Sequence, residues 1–339
     1  MTVIRDFTMK TMWARQSLKT WTALIMVGIF LFVAQKSFFT KDRQDCPEQP
    51  HADILPNAHF RHVDVIRKKE EDTKVVAPAT FQGDENVEEP FPIPADDVLK
   101  EMSLKNLSRL YHRFVDNVGV LCRNINRLGK LTDGGWEVCH DQRYRPPSEC
   151  LVYSVGINND FSFDDAIARE YGCEVHSFDP SMKTKSYRRS EKVSFHQIGI
   201  SDTDVHIPEG QTGWEMRKLG SMKQELGHDK RRINVLKMDI EHWEWKVLPE
   251  AIATGFLDDV TTLDLELHSW IIEKGTYIYE PPAEIYMGYL KSLRQLHQLG
   301  FRIYLTHKNL GSCQFKSKFG MMRTSCQEIA MVQTKKRGL

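Results

Sequence analysis

The chain has 339 residues, more than one core usually needs, so a domain of roughly 200–250 residues with further segments attached is expected. Its 46 basic and 46 acidic residues cancel. A balanced surface gathers no phosphate backbone, which argues against nucleic acid as a partner.

The first forty residues read as a targeting device. Arg5, Lys10, Arg15 and Lys19 lead into an apolar run from Trp21 to Ala34. The run is short for a bilayer of ~30 Å, but it reaches Phe39 if Lys36 snorkels. Basic residues before it place the N-terminus in the cytosol. The expected order is a cytosolic tail (1–20) and a single-pass type II signal anchor (21–39), with the remainder in the lumen of the endoplasmic reticulum or Golgi. A cleaved signal peptide, giving a secreted protein, stays open: Ala34 suits the last position before a cut, although Phe32 fills the second small site poorly. Residues 40–94 carry seven prolines and the charge cluster Arg67 to Asp72. Such a stretch buries too little apolar area to fold, and it reads as a flexible stem.

A lumenal location bears on the seven cysteines. Cys122, Cys139, Cys150, Cys173, Cys313 and Cys326 are expected to pair, with Cys46 left over; the local pairs are Cys139–Cys150 and Cys313–Cys326. Buried free thiols are the alternative. Asn106-Leu107-Ser108 is a glycosylation sequon.

Order is expected from Ala95. Val98, Leu99, Met102, Leu107, Leu110, Tyr111 and Phe114 recur at helical spacing behind Asp96 and Asp97, which suit a helix N-terminus. Residues 117–150 read as irregular, with Gly134-Gly135 and Pro146-Pro147 as breakers. The segment 95–150 is thus a helical and irregular extension, and 151–334 is the principal domain. There the chain alternates. Strands are expected at Leu151–Val155, Glu174–Phe178, Val193–Ile198, Asn234–Met238, Val260–Leu267, Phe301–Thr306 and Glu328–Gln333. Helices are expected at Phe163–Tyr171 and Pro282–Leu299. Short, non-alternating apolar strands separated by helices indicate an α/β fold with a mostly parallel sheet covered on both faces. The last two strands have no helix between them and should form an antiparallel edge hairpin.

In such sheets ligands bind beyond the carboxyl ends of the strands. Strand one ends Val155-Gly156-Ile157-Asn158-Asn159, where Gly156 permits a tight turn against a ligand. Asp179 follows strand two about 20 residues on, the place of a carboxylate that accepts two ribose hydroxyls. Asp202 after strand three is a candidate for the adenine edge. Strand four runs into Asp239, Glu241, His242 and Glu244, and strand five carries Asp264, Glu266 and His268 on one face. So many ionisable groups beside buried strands are costly unless they are used or solvated.

The order Val-Gly-Ile-Asn-Asn, Phe-Asp-Pro, Leu-Lys-Met-Asp-Ile-Glu-x-x-Glu-Trp and Leu-Glu-Leu-His resembles FkbM-type methyltransferases over roughly Leu121 to Thr334. Asp133-Gly134-Gly135-Trp136-Glu137-Val138-Cys139 strengthens the resemblance. It implies a seven-stranded Rossmann-like class I methyltransferase domain that binds S-adenosyl-L-methionine, with Gly156 and Asp179 in the cofactor site and Asp239 at its floor; Asn158, where the family often has a small residue, and Asp202 are further candidates for that site. Methylation of a hydroxyl benefits from a base, and His268 or Glu241 is expected in that role, oriented by Glu266 or Asp239. Asp239, Glu241 and His268 are alternatively ligands for Mg²⁺ or Mn²⁺. Expected partners are the membrane, through the anchor, and a small-molecule, glycan or secreted-protein acceptor. Two other readings stay open: a type II glycosyltransferase using Asp202-Thr203-Asp204, and a catalytically inactive methyltransferase fold serving as a binding module.

Overall fold

The computed structural model describes residues 93–311 and 313–335. The expected tail and anchor, the stem up to residue 92 and Cys46 lie outside the described residues. Among the described residues no helix is long and apolar enough to cross a membrane.

Two helices, α1 (Asp96–Lys100) and α2 (Leu104–Val115), stand in place of the single helix expected. Ser103 divides them: its backbone is extended, and its hydroxyl accepts the Asn106 N–H as a cap that starts α2 afresh. The sequon therefore lies in a helix, with Ser108 buried and donating its hydroxyl to Glu280 at 3.0 Å.

The stretch read as irregular contains an antiparallel hairpin of β1 (Ile125–Leu128) and β2 (Trp136–Cys139). Next come β3 (Leu151–Val155), α3 (Ser162–Tyr171), β4 (Glu174–Phe178), β5 (Tyr187–Arg188) and β6 (Val193–His196). The short β7 (Gly199–Ile200) and β8 (Met216–Arg217) lead to α4 (Leu219–Glu225), β9 (Ile233–Met238), α5 (Glu244–Ala253) and β10 (Val260–His268). A small hairpin, β11 (Ile271–Glu273) and β12 (Thr276–Ile278), precedes α6 (Ala283–Leu299) and β13 (Phe301–Lys308). A second hairpin, β14 (Gln314–Lys316) and β15 (Met322–Thr324), precedes β16 (Cys326–Gln333).

The main sheet has the order β13-β16-β10-β9-β3-β4-β6-β5. The run from β10 to β6 is parallel. The sheet has eight strands rather than seven, because β5 adds two residues antiparallel to β6 at one edge. β13 and β16 pair antiparallel, but β16 is inserted between β13 and β10, so only β13 lies at the edge. Alternation along the strands splits the core into two layers. Tyr153, Val155, Leu236 and Leu263 pack against α1, α2, α4, α5 and α6. Val152, Val175 and Val235 face α3 and the β1–β2 hairpin.

The six cysteines in this region pair as Cys122–Cys139, Cys150–Cys173 and Cys313–Cys326. The expected Cys139–Cys150 pair is thus wrong. Cys150 and Cys173 each precede a strand, and parallel pairing of Leu151 with Glu174 sets them side by side. Nearness in sequence could not reveal that neighbour.

Candidate active site

β3, β9 and β10 end side by side, and the chain leaving them helps enclose a cavity of about 510 Å³, the size of a small-molecule site. At Gly156 the backbone turns with φ +76°, and a Cβ there would lie 1.6 Å from the Asp239 carbonyl oxygen. Only glycine lets the two strand ends approach so closely. Asn158 and Asn159 follow at φ 41° and 65°. Asparagine enters this left-handed region more readily than most residues, which accounts for two asparagines where small residues are usual.

Asp179 is buried beside this turn. Its Oδ2 accepts the Asn158 N–H at 2.8 Å, and Oδ1 accepts the N–H and hydroxyl of Ser181 at 2.8 and 2.6 Å. The carboxylate is held rigidly against the cavity, with further lone pairs for ligand hydroxyls.

Beneath the cavity a polar row crosses the sheet, in register from Asp264 through Lys237 and Ser154 to Ser177. Lys237 Nζ donates to the Gly156 carbonyl at 2.9 Å and lies 5.4 Å from the centre of the Trp136 ring. Neither carboxyl oxygen of Asp264 has a hydrogen-bond partner, and burial pushes that carboxyl well above the usual range.

The acid cluster gathers on His268. Its Nδ1 lies 3.1 Å from Glu244 Oε1, and its Nε2 lies 3.7 Å from Glu241 Oε2 and 3.9 Å from Asp239 Oδ1. Glu244 is the first residue of α5 and fully buried; its Oε1 also accepts the Ile240 N–H at 2.7 Å. Burial works against charge on His268, but the Glu244 hydrogen bond and the charges of Glu244, Glu266 and Asp239 outweigh it, holding the ring up at about 9. Burial lifts the Asp239 carboxyl to about 7 against the pull of Lys237. His268 is therefore an imidazolium at neutral pH, already protonated where a free base was expected. Its orienting partner is Glu244, not Glu266 or Asp239. Glu266 lies in the cavity wall, accepts from Asn309 at 3.3 Å, and is raised by burial.

Glu241 and His242 adopt φ 54° and 83°. Two bulky residues in the left-handed region at a strand end store strain of the kind found at functional sites. The Glu241 side chain is 77% exposed.

The expected metal ligands Asp239, Glu241 and His268 do converge. His268 Nε2 lies 3.7 and 3.9 Å from the two carboxylates, and Asp239, Glu244 and His268 bring one ligand atom each within 4.8 Å of the others. No step is derived through a metal. Asp202 does not line the cavity, whose wall there is Gly199 and Ile200; it accepts the Ser201 hydroxyl at 3.0 Å. Asp204 accepts the Lys218 N–H and the Ser221 hydroxyl, both at 2.7 Å, and so fixes the start of α4. Neither acid of Asp202-Thr203-Asp204 faces the cavity, so the glycosyltransferase reading loses its motif.

Reasoning from sequence missed Lys237, Asn309 and Trp214, and gave Glu244 no role of its own. Lys237 had a signal, a lone cation in an apolar strand, and Glu244 stood in the acid run after it. Asn309 and Trp214 come from loops that only the tertiary fold brings to the cavity.

A methyltransferase-domain family model matches residues 85–291. Two curated relatives, from human and rat, are both named probable methyltransferase-like protein 24. The human protein is 30% identical over 237 residues, 66% of this chain and 63% of its own length. The rat protein is 30% identical over 250 residues, 69% of this chain and 68% of its own length. The chain thus spans about two thirds of these relatives. With a glycine crevice between strand ends, a carboxylate beside it and a matching family model over more than half its length, the chain belongs to the methyltransferase-domain family.

Proposed function

We propose that this chain is an S-adenosyl-L-methionine-dependent methyltransferase acting on a hydroxyl of a sugar or another secretory-pathway acceptor. The observation that carries the reading is the Gly156–Asp239 contact in the cavity wall, where the strand ends close to a distance no side chain tolerates. Gly156, the Asn158 backbone and Asp179 would hold the nucleoside part, with Asp239 beneath it. The cofactor supplies an activated methyl group, and the protein's task is to align an acceptor with it. Glu241, open to the cavity, takes the hydroxyl proton; His268 positions that carboxylate and is itself held by Glu244. The finer FkbM-type assignment rests on the order of the motifs.

Aromatic faces at the rim suit a sugar. Trp214 lines the cavity and is half exposed. Trp243 lines it as well. A lumenal position behind an N-terminal anchor is part of the proposal; three disulfides among the described residues support it.

The test offers labelled cofactor and a panel of free and protein-linked glycans to the full chain. Label should enter as a base-stable methyl ether, and Glu241→Gln should slow it ~10²–10⁴-fold. Label on nitrogen would contradict the reading, as would a base-labile ester. Cofactor binding without transfer would leave a binding module.

A further inference from the structure

A second cluster of ligating side chains lies outside the cavity lining. Glu174 and His176 come from β4, His196 from β6, Tyr153 from β3, and His228 from the loop between α4 and β9. His176 Nε2 lies 3.1 Å from Glu174 Oε1, and His228 Nε2 lies 3.8 Å from the same oxygen. One ligand atom from each of the three residues falls within 4.8 Å of the others.

We propose that Glu174, His176 and His228 form a zinc-binding site of three protein ligands, with a fourth position open to water. Zinc bonds of ~2.0–2.2 Å in a tetrahedron set ligand atoms roughly 3.3 Å apart, close to the observed separations. Two imidazoles and one carboxylate suit zinc better than magnesium or calcium, which prefer all-oxygen sets. The outer nitrogens are also engaged as in known zinc sites. His176 Nδ1 lies 2.9 Å from His196 Nε2, and His228 Nδ1 lies 2.9 Å from the Tyr153 hydroxyl. When each Nδ1 donates its proton to that partner, both Nε2 lone pairs turn to Glu174. Arg231 pairs with the other Glu174 oxygen and orients it. Solvent reaches the site past Glu174, whose side chain is 41% exposed. With the opposite tautomers the cluster closes on protons alone, so zinc binding shifts each ring proton from Nε2 to Nδ1 and the rings stay neutral. The ion would tie β4 to the α4–β9 loop.

The full chain, stripped with a chelator, is titrated with zinc chloride by calorimetry and followed by thermal denaturation. One equivalent should bind and raise the melting temperature. Cobalt in its place should show the visible bands of a tetrahedral site without thiolate charge transfer. His228→Gln should weaken binding at least ~100-fold, and Tyr153→Phe, which keeps its ring in the core, ~10–100-fold. S-adenosylhomocysteine binding should persist in both variants, which reports an intact fold separately from the zinc site. Absence of stoichiometric zinc binding would overturn the proposal. So would binding that survives both substitutions or is abolished by His268→Ala instead.

Discussion

Gly156→Ala and Gly172→Ala make a paired experiment. Both glycines lie in the left-handed region, at φ +76° and +74°, so alanine costs about 1–2 kcal/mol at either on backbone grounds alone. Their surroundings differ. At 172 an added Cβ meets nothing within 4 Å, whereas at 156 it lies 1.6 Å from the Asp239 carbonyl oxygen and 2.7 Å from its carbon. A carbon–oxygen contact needs roughly 3.3 Å, so the strand ends must part by about 1.7 Å. Three hydrogen bonds oppose that movement: Gly156 N–H to Phe178 O at 2.8 Å, Asp239 N–H to Val155 O at 3.1 Å, and Lys237 Nζ to Gly156 O at 2.9 Å. Losing two of them at about 1 kcal/mol each brings the total to about 3–4 kcal/mol. Urea denaturation of the full chain measures both variants, and calorimetry with S-adenosylhomocysteine reports the crevice. Gly172→Ala should lose 1–2 kcal/mol on the same estimate and keep binding. Gly156→Ala should lose at least about 3 kcal/mol and binding with it. Equal losses, or unimpaired binding by Gly156→Ala, would refute the close-approach argument.

Three further predictions concern the cluster, a disulfide and the buried acid. His268 is raised from 6.5 to about 9, so its contribution, up to about 3 kcal/mol, is fully present below pH 6.5 and lost as pH rises through 9. Glu244→Gln should let burial dominate and drop the ring below its ordinary value; an NMR titration of His268 still centred near 9 would contradict this. Cys313 and Cys326 line the cavity and close a loop of 13 residues. Cys313→Ser should therefore cost about 3 kcal/mol in chemical denaturation and weaken cofactor binding, and wild-type values in both would rule that role out. Burial raises the Asp264 carboxyl well above the usual range, so it costs stability as pH climbs through its folded value. Asp264→Leu should stabilise by about 1–3 kcal/mol, and a lower melting temperature would show that the acid has an unseen partner.

The alternation of strand and helix was legible because parallel strands buried on both faces must be largely apolar, as Leu151–Val155 and Ile233–Met238 are apart from Ser154, Asn234 and Lys237. The β1–β2 hairpin was not. Its four-residue strands are too short to show a period, and a disulfide between Cys122 and Cys139 helps hold it. The insertion of β16 between β13 and β10 was equally hidden, since pairing order across a sheet leaves no local trace. In the site, Gly156 and Asp179 were readable from strand-end spacing. The protonation of His268 was not, because it depends on a fully buried Glu244 and on charges brought in from two strands. Asp202 misled: an acid after a strand has the same local signature whether it faces the cavity or, as here, takes a hydrogen bond from its neighbour Ser201.

The most direct measurement is binding of S-adenosylhomocysteine to the full chain by calorimetry, with Asp179→Ala beside it. Micromolar binding by the native chain is expected, weakened in the variant by about 1–3 kcal/mol as the hydroxyl contacts are lost. A folded chain that binds no S-adenosylhomocysteine, or binds it equally well without the Asp179 carboxylate, would contradict the account.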